Sequence, residues 1–274
     1  MDTSADTPFT WGRRRLLGVL AAAATAAIAV VLGLVLAVYF AVDGVTSAGP
    51  TGTPAAAPHG TGHALPTGFA HRDAIAAAPM RTVDATAAQP APPAARTAPT
   101  IDIPAGASPG PAGVTAGFPL TPVGAIGQLA AIEQVVLQDM STQEAAVVHD
   151  AWALPGAPDV AQWALMRDVQ SFLGGAQMGS TLDPTSTVMV TPEGAQVKGT
   201  DGSDWVLACV LITVRATITR DASMAYGHCE RMQWHGGRWM IAPGAAPAPA
   251  PSTWPGSDAS RTAGWRTWVG GGDD

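Results

Sequence analysis

Trp205-Val206-Leu207-Ala208-Cys209-Val210-Leu211-Ile212-Thr213-Val214-Arg215-Ala216-Thr217-Ile218 is the longest β-patterned run in the chain. Side chains alternate along a strand, so Val206, Val210, Ile212, Val214 and Ile218 share one face while Thr213, Arg215 and Thr217 join the other. This predicts a sheet with one dry face. Downstream, Arg220-Asp221-Ala222-Ser223 reads as a connection into a partner strand over residues 224–235, and Gly236-Gly237 is the strongest hairpin signal, followed by Arg238-Trp239-Met240-Ile241. Upstream, Thr187-Val188-Met189-Val190-Thr191 and Ala195-Gln196-Val197-Lys198 flank the turn Pro192-Glu193-Gly194, and Asp201-Gly202 makes the next turn.

Before residue 176 the period is helical. Thr121 can cap a helix with Pro122 at its first position, after which Val123, Ile126, Leu129, Ile132, Val136 and Met140 recur at helical spacing. Ser141-Thr142-Gln143-Glu144 is a capping box for a second helix through Val147, Val148 and Trp152, stopped by Pro155-Gly156. A third is expected to start at Pro158-Asp159, carry Val160, Trp163, Met166, Val169 and Leu173, and end at Gly174-Gly175. The folded part is thus expected over 117–244 as three helices followed by an antiparallel meander, an α+β arrangement large enough for one core.

Working outward, residues 16–42 form an uninterrupted apolar run entered through Arg13, Arg14 and Arg15. At 1.5 Å per residue it spans about 40 Å, more than the roughly 30 Å hydrocarbon core and about twice the usual length of a cleavable signal's apolar region. The expectation is a retained single-pass transmembrane helix in a cell membrane. The arginines hold 1–15 in the cytoplasm and everything beyond Asp43 lies outside. Residues 43–116 hold 12 of the chain's 24 prolines, lack helical or strand period and read as a disordered Ala/Pro/Gly/Thr-rich tether. Residues 245–274 form a tail with a Pro-rich start and three tryptophans.

A net charge of −7 and a single lysine, Lys198, exclude a nucleic-acid surface, which needs clustered cations. Arg and Ala usage with one lysine suggests a high-GC bacterial coding sequence. No reaction motif, phosphate loop or metal-ligand spacing occurs, so neither a cofactor nor a metal is expected; His59, His63 and His71 read as solvated tether residues.

Met232-Gln233-Trp234-His235-Gly236-Gly237-Arg238-Trp239-Met240-Ile241, placed after three helices and long strands, resembles the closing hairpin of the nuclear-transport-factor-2-like superfamily. The resemblance implies a cone-like fold in which the helices pack on a curved sheet and leave a pocket or concave binding face. With an amino-terminal anchor the architecture resembles the bitopic scaffold proteins of bacterial conjugation and type IV secretion systems, by fold analogy. The anchor, the long tether, the lack of a reaction motif and the Trp-bearing tail together point to a non-enzymatic interaction module among membrane-complex proteins, with self-association open.

Four groups are candidate sites. Cys209 and Cys229, the only cysteines, share sides of adjacent strands in an oxidising compartment, although symmetric pairing about 220–223 would place Cys209 opposite Trp234. The disulfide and two buried thiols therefore both remain open. His228 and Glu230 share a strand face and supply acid–base groups for a pocket, the alternative function being small-molecule binding or isomerase- or cyclase-like chemistry; His149 and Asp150 diverge by about 100° on a helix. Trp254, Trp265 and Trp268 are docking candidates, with packing onto their own domain the competing reading. Ser257-Asp258 can cap a short helix between them.

Overall fold

A computed structural model describes residues 67–270. The transmembrane expectation for 16–42, the topology signal at Arg13, Arg14 and Arg15, and His59 and His63 lie outside these residues. Among the described residues no helix is long and apolar enough to cross a membrane.

Helix α1 (Phe69–Ala77) is followed by strands β1 (Thr100–Ile103), β2 (Ser108–Pro109) and β3 (Thr115–Ala116). Helices α2 (Pro122–Asp139), α3 (Thr142–Trp152) and α4 (Ala164–Gly175) come next, then strands β4 (Thr187–Thr200), β5 (Trp205–Thr217), β6 (Asp221–His235) and β7 (Arg238–Ile241). The chain closes with α5 (Asp258–Thr262) and β8 (Arg266–Gly270).

The sheet corrects the expected fold class. It is a curled, mixed, six-stranded sheet in the order β1-β8-β4-β5-β6-β7, with β1 parallel to β8 and the other pairings antiparallel. It is therefore neither a pure antiparallel meander nor preceded by three amino-terminal helices, because β1 enters the sheet before α2 begins. Nor is 67–116 a disordered linker: Thr100-Ile101-Asp102-Ile103 alternates exposed and buried, and Ile101, Ile103, Val114 and Ala116 join the main core.

Capping follows the sequence. Thr121 Oγ1 accepts from the Gly124 amide at 3.1 Å and Ser141 Oγ from the Glu144 amide at 3.3 Å, each satisfying an otherwise orphaned helix N–H. The third helix departs from expectation: residues 160–162 form one 3₁₀ turn, Trp163 is extended, and α4 starts at Ala164.

The single dry face is also corrected. Val206, Ala208, Val210 and Ile212 meet α2, α3 and α4 in the main core, while Leu207, Cys209 and Leu211 on the opposite face are equally buried. The amino-terminal segment and the tail supply that second cover. Trp265, Met80 and Trp254 pack with Cys209, Leu211 and Cys229, and Ala76 of α1 packs with Trp205 and Leu207. Two ion pairs hold α1 in place, Arg72–Asp201 at 2.6 Å and Arg231–Asp73 at 2.8 Å. Burial of β5 on both sides explains its near-continuous apolar sequence.

Candidate functional site

Tyr226, His228 and Glu230 occupy alternate positions on β6 and so share its helix-facing side, opposite Ile212, Val210 and Ala208 of β5. Strand β7 pairs only with 232–235, which leaves the earlier part of β6 without a strand on that edge. The strap 246–252 runs past it, held where Ser252 Oγ accepts from the Gly227 amide at 3.0 Å. Between α4, β6 and this strap lies a cavity of about 300 Å3, with Trp163, Asp168, Tyr226, His228 and Glu230 among its walls.

The polar groups form a directed chain. Tyr226 Oη donates to Asp168 Oδ2 at 2.5 Å, so its oxygen is left to accept from His228 Nδ1 at 3.2 Å. That bond fixes the tautomer and leaves Nε2 as the reactive nitrogen. Nε2 stands 3.7 Å from Glu230 Oε2, an ion-pair distance too long for a hydrogen bond, and has no hydrogen-bond partner. Glu230 is anchored separately: Trp163 Nε1 donates to its Oε2 at 3.1 Å and the Arg231 amide to its Oε1 at 3.1 Å. The extended backbone at Trp163 thus accompanies an indole that is fully buried against the site.

Behind this wall sits Glu133 of α2, fully buried, with neither carboxylate oxygen bonded. Burial, reinforced by the charges of Glu230 and Asp168 and opposed by His228, raises its pKa from 4.5 to about 8. Glu133 is therefore protonated at neutral pH. Burial pulls the His228 imidazolium down, but the adjacent Glu230 and the charges of Glu133 and Asp168 outweigh it, and the net shift is upward. With Glu133 neutral, Glu230 and Asp168 supply that support. Burial beside Asp168 also holds the Tyr226 phenol well above its ordinary value, so it remains a donor.

The structure brings His228 and Glu230 together in one wall. Asp168, Tyr226 and Glu133, which the sequence reading did not single out, complete the cluster. Two signals were present: Tyr226 shares strand parity with His228 and Glu230, and Glu133 stands four residues after Leu129 and three before Val136, on the apolar stripe of its helix. His149 lies apart from the cavity walls. Its Nε2 donates to the Pro158 carbonyl at 2.9 Å, its ring rests 5.2 Å from Trp163, and Asp150 points to solvent.

Cys209 and Cys229 are directly opposite in the β5–β6 register and are joined by a disulfide. The register runs from Thr217↔Asp221 to Trp205↔Gln233, because the turn falls at 218–220 rather than at 220–223; Cys209 does not face Trp234. The docking candidates are placed on their own domain. Trp265 is 2% exposed and donates to the Pro251 carbonyl at 3.0 Å, Trp254 packs on the second cluster and its amide donates to the Ala87 carbonyl, and Trp268 pairs with Ile101 across β8 and β1. Ser257 caps α5 by accepting from the Ser260 amide at 3.1 Å. Among the described residues no cluster of His, Cys, Asp and Glu is arranged to hold a metal.

No family model, curated protein or solved structure matches this chain, so the functional reading rests on the chemistry of the site.

Proposed function

We propose that the described domain is a small-molecule-binding module, tethered to a membrane by residues 16–42 and working on the extracytoplasmic side. One observation carries the binding role: a buried His228–Glu230 pair forms part of a cavity wall with the imidazole Nε2 unbonded. A buried donor or acceptor without a partner costs about 1 to 3 kcal/mol, and a ligand that completes the hydrogen bond recovers it. The acid–base residues are pre-oriented by hydrogen bonds that end inside the protein, which suits a fixed recognition wall. The disulfide on the opposite face of β6 fits an oxidising compartment. Of the three tryptophans on which a docking role drew, Trp265 is buried in its own domain and Trp254 and Trp268 are half-buried against it.

The test is recovery of a bound molecule from the full chain purified from its membrane. A small molecule enriched in the native protein and lost from both His228→Gln and Glu230→Gln supports the reading. No enriched molecule, together with no thermal stabilisation by any of a panel of small amines, acids and alcohols, refutes it.

A further inference from the structure

Asp168 and Tyr226 do not line one cavity only. On their other side, along the same seam between α4 and β6, lies a second cavity of about 310 Å3 walled by Leu137, Met140, Phe172, Val214 and Met224. The Asp168–Tyr226 hydrogen bond is thus a partition across one furrow, with the polar half toward His228 and the apolar half toward Met224. Each half alone sits at the floor of the roughly 300–1,000 Å3 range of ligand pockets, and joined they fall well inside it.

The polar half sets the carboxylates of Asp168 and Glu230 against few free donors: the Ser252 hydroxyl, and the Gln162 and Arg167 side chains, which are exposed. The Trp163 and Tyr226 donors are committed to Glu230 and Asp168. In the strap, Pro247 and Pro249 have no N–H, and the Ala248 amide is spent on the Ala76 carbonyl. The carboxylates of Asp168 and Glu230 face one imidazole, and the rings of Trp163 and Tyr226 also favour a cation. Arg167 lines the rim from an exposed position, where solvent screens it.

We infer that the furrow takes a single-chain amphiphile with an ammonium head: the head in the His228–Glu230 cavity, and the aliphatic tail past Asp168 and Tyr226 into the Leu137–Met224 cavity. This rests on the small-molecule reading above and adds the chemical class.

The experiment is calorimetric titration of the full chain in lipid nanodiscs, with empty nanodiscs as reference, using methylammonium, butylammonium, hexylammonium and hexanoate. Affinity should rise about four-fold per methylene from butylammonium to hexylammonium, and hexanoate should bind more weakly than hexylammonium. Met224→Trp, which fills the apolar half from a position 52% exposed, should abolish the rise and leave methylammonium binding unchanged; Ser171→Trp, also from an exposed position, should do the same. Equal affinity for methylammonium and hexylammonium, or a chain-length rise that survives both tryptophan variants, overturns the inference while the polar cavity still binds. Hexanoate binding as tightly as hexylammonium overturns the head assignment. Failure of all four probes overturns the inference and the small-molecule reading together.

Discussion

Replacing Glu133 with Gln keeps the shape of the side chain and removes its titratable proton, at a site where neither oxygen has a partner. The folded-state pKa of about 8 lies above the unfolded 4.5, so the folded protein holds this proton more tightly. A raised pKa of this kind gives stability that is fully present below pH 4.5 and is lost as pH rises through 8. The limiting slope is about 1.36 kcal/mol per pH, so the loss integrated between about pH 5 and pH 8 is roughly 3 to 4 kcal/mol. Glutamine has no such dependence. Its buried amide carries an offset of about 1 to 3 kcal/mol, but that offset is the same at every pH and cancels from the difference. His228, whose pKa is also raised, loses stability in the same direction in both proteins. Denaturant unfolding followed by tryptophan fluorescence at pH 5, 6, 7 and 8 measures the quantity directly. Glu133→Gln should gain on the native protein by about 1 kcal/mol for each step of one in pH. A stability difference that stays flat across this range would refute the assignment of Glu133 as a protonated buried acid.

Reduction of the Cys209–Cys229 disulfide, which closes a loop with a sequence separation of 20, should cost about 3 kcal/mol, read as a lower denaturation midpoint in reductant; two freely alkylatable thiols in the native protein would contradict the bridge. Trp265→Ala should destabilise by about 3 to 5 kcal/mol, because the indole is buried against the disulfide face, whereas a docking tryptophan would leave the unfolding midpoint unchanged. Gly227→Ala should cost about 1 to 3 kcal/mol, since its Cβ would meet the Pro251 carbonyl oxygen at 2.7 Å, and it should open the strap to protease; an unchanged cleavage rate would show that the strap is not seated there.

Strand β5, the Gly236-Gly237 hairpin and the caps at Thr121 and Ser141 were legible because each rests on a local rule of parity, turn chemistry or side-chain capping. The β5–β6 register was not, since the expected connection at 220–223 lies beyond the observed turn at 218–220, and only packing on both faces selects between them. Residues 67–90 were misread because their cover comes from small residues and backbone, and 91–116 because the alternating run Thr100–Ile103 is only four residues long. Ala76 and Ala88 are buried, and the Ala87 carbonyl accepts from Trp254, contacts that leave no amphipathic period. The parallel β1–β8 pair joins Thr100 to Thr267, segments from opposite ends of the described chain, which no local pattern signals. At the site, His228 and Glu230 were found by strand parity, while Glu133 and Asp168 come from helices whose contact with β6 is purely tertiary.

Ligand binding at His228 is measured most directly by the 15N resonance of its Nε2 in the full chain as hexylammonium is added. A saturable shift of that nitrogen, absent from the His149 ring behind Trp163, is the predicted result. Binding that shifts resonances elsewhere and leaves the His228 ring untouched would contradict it.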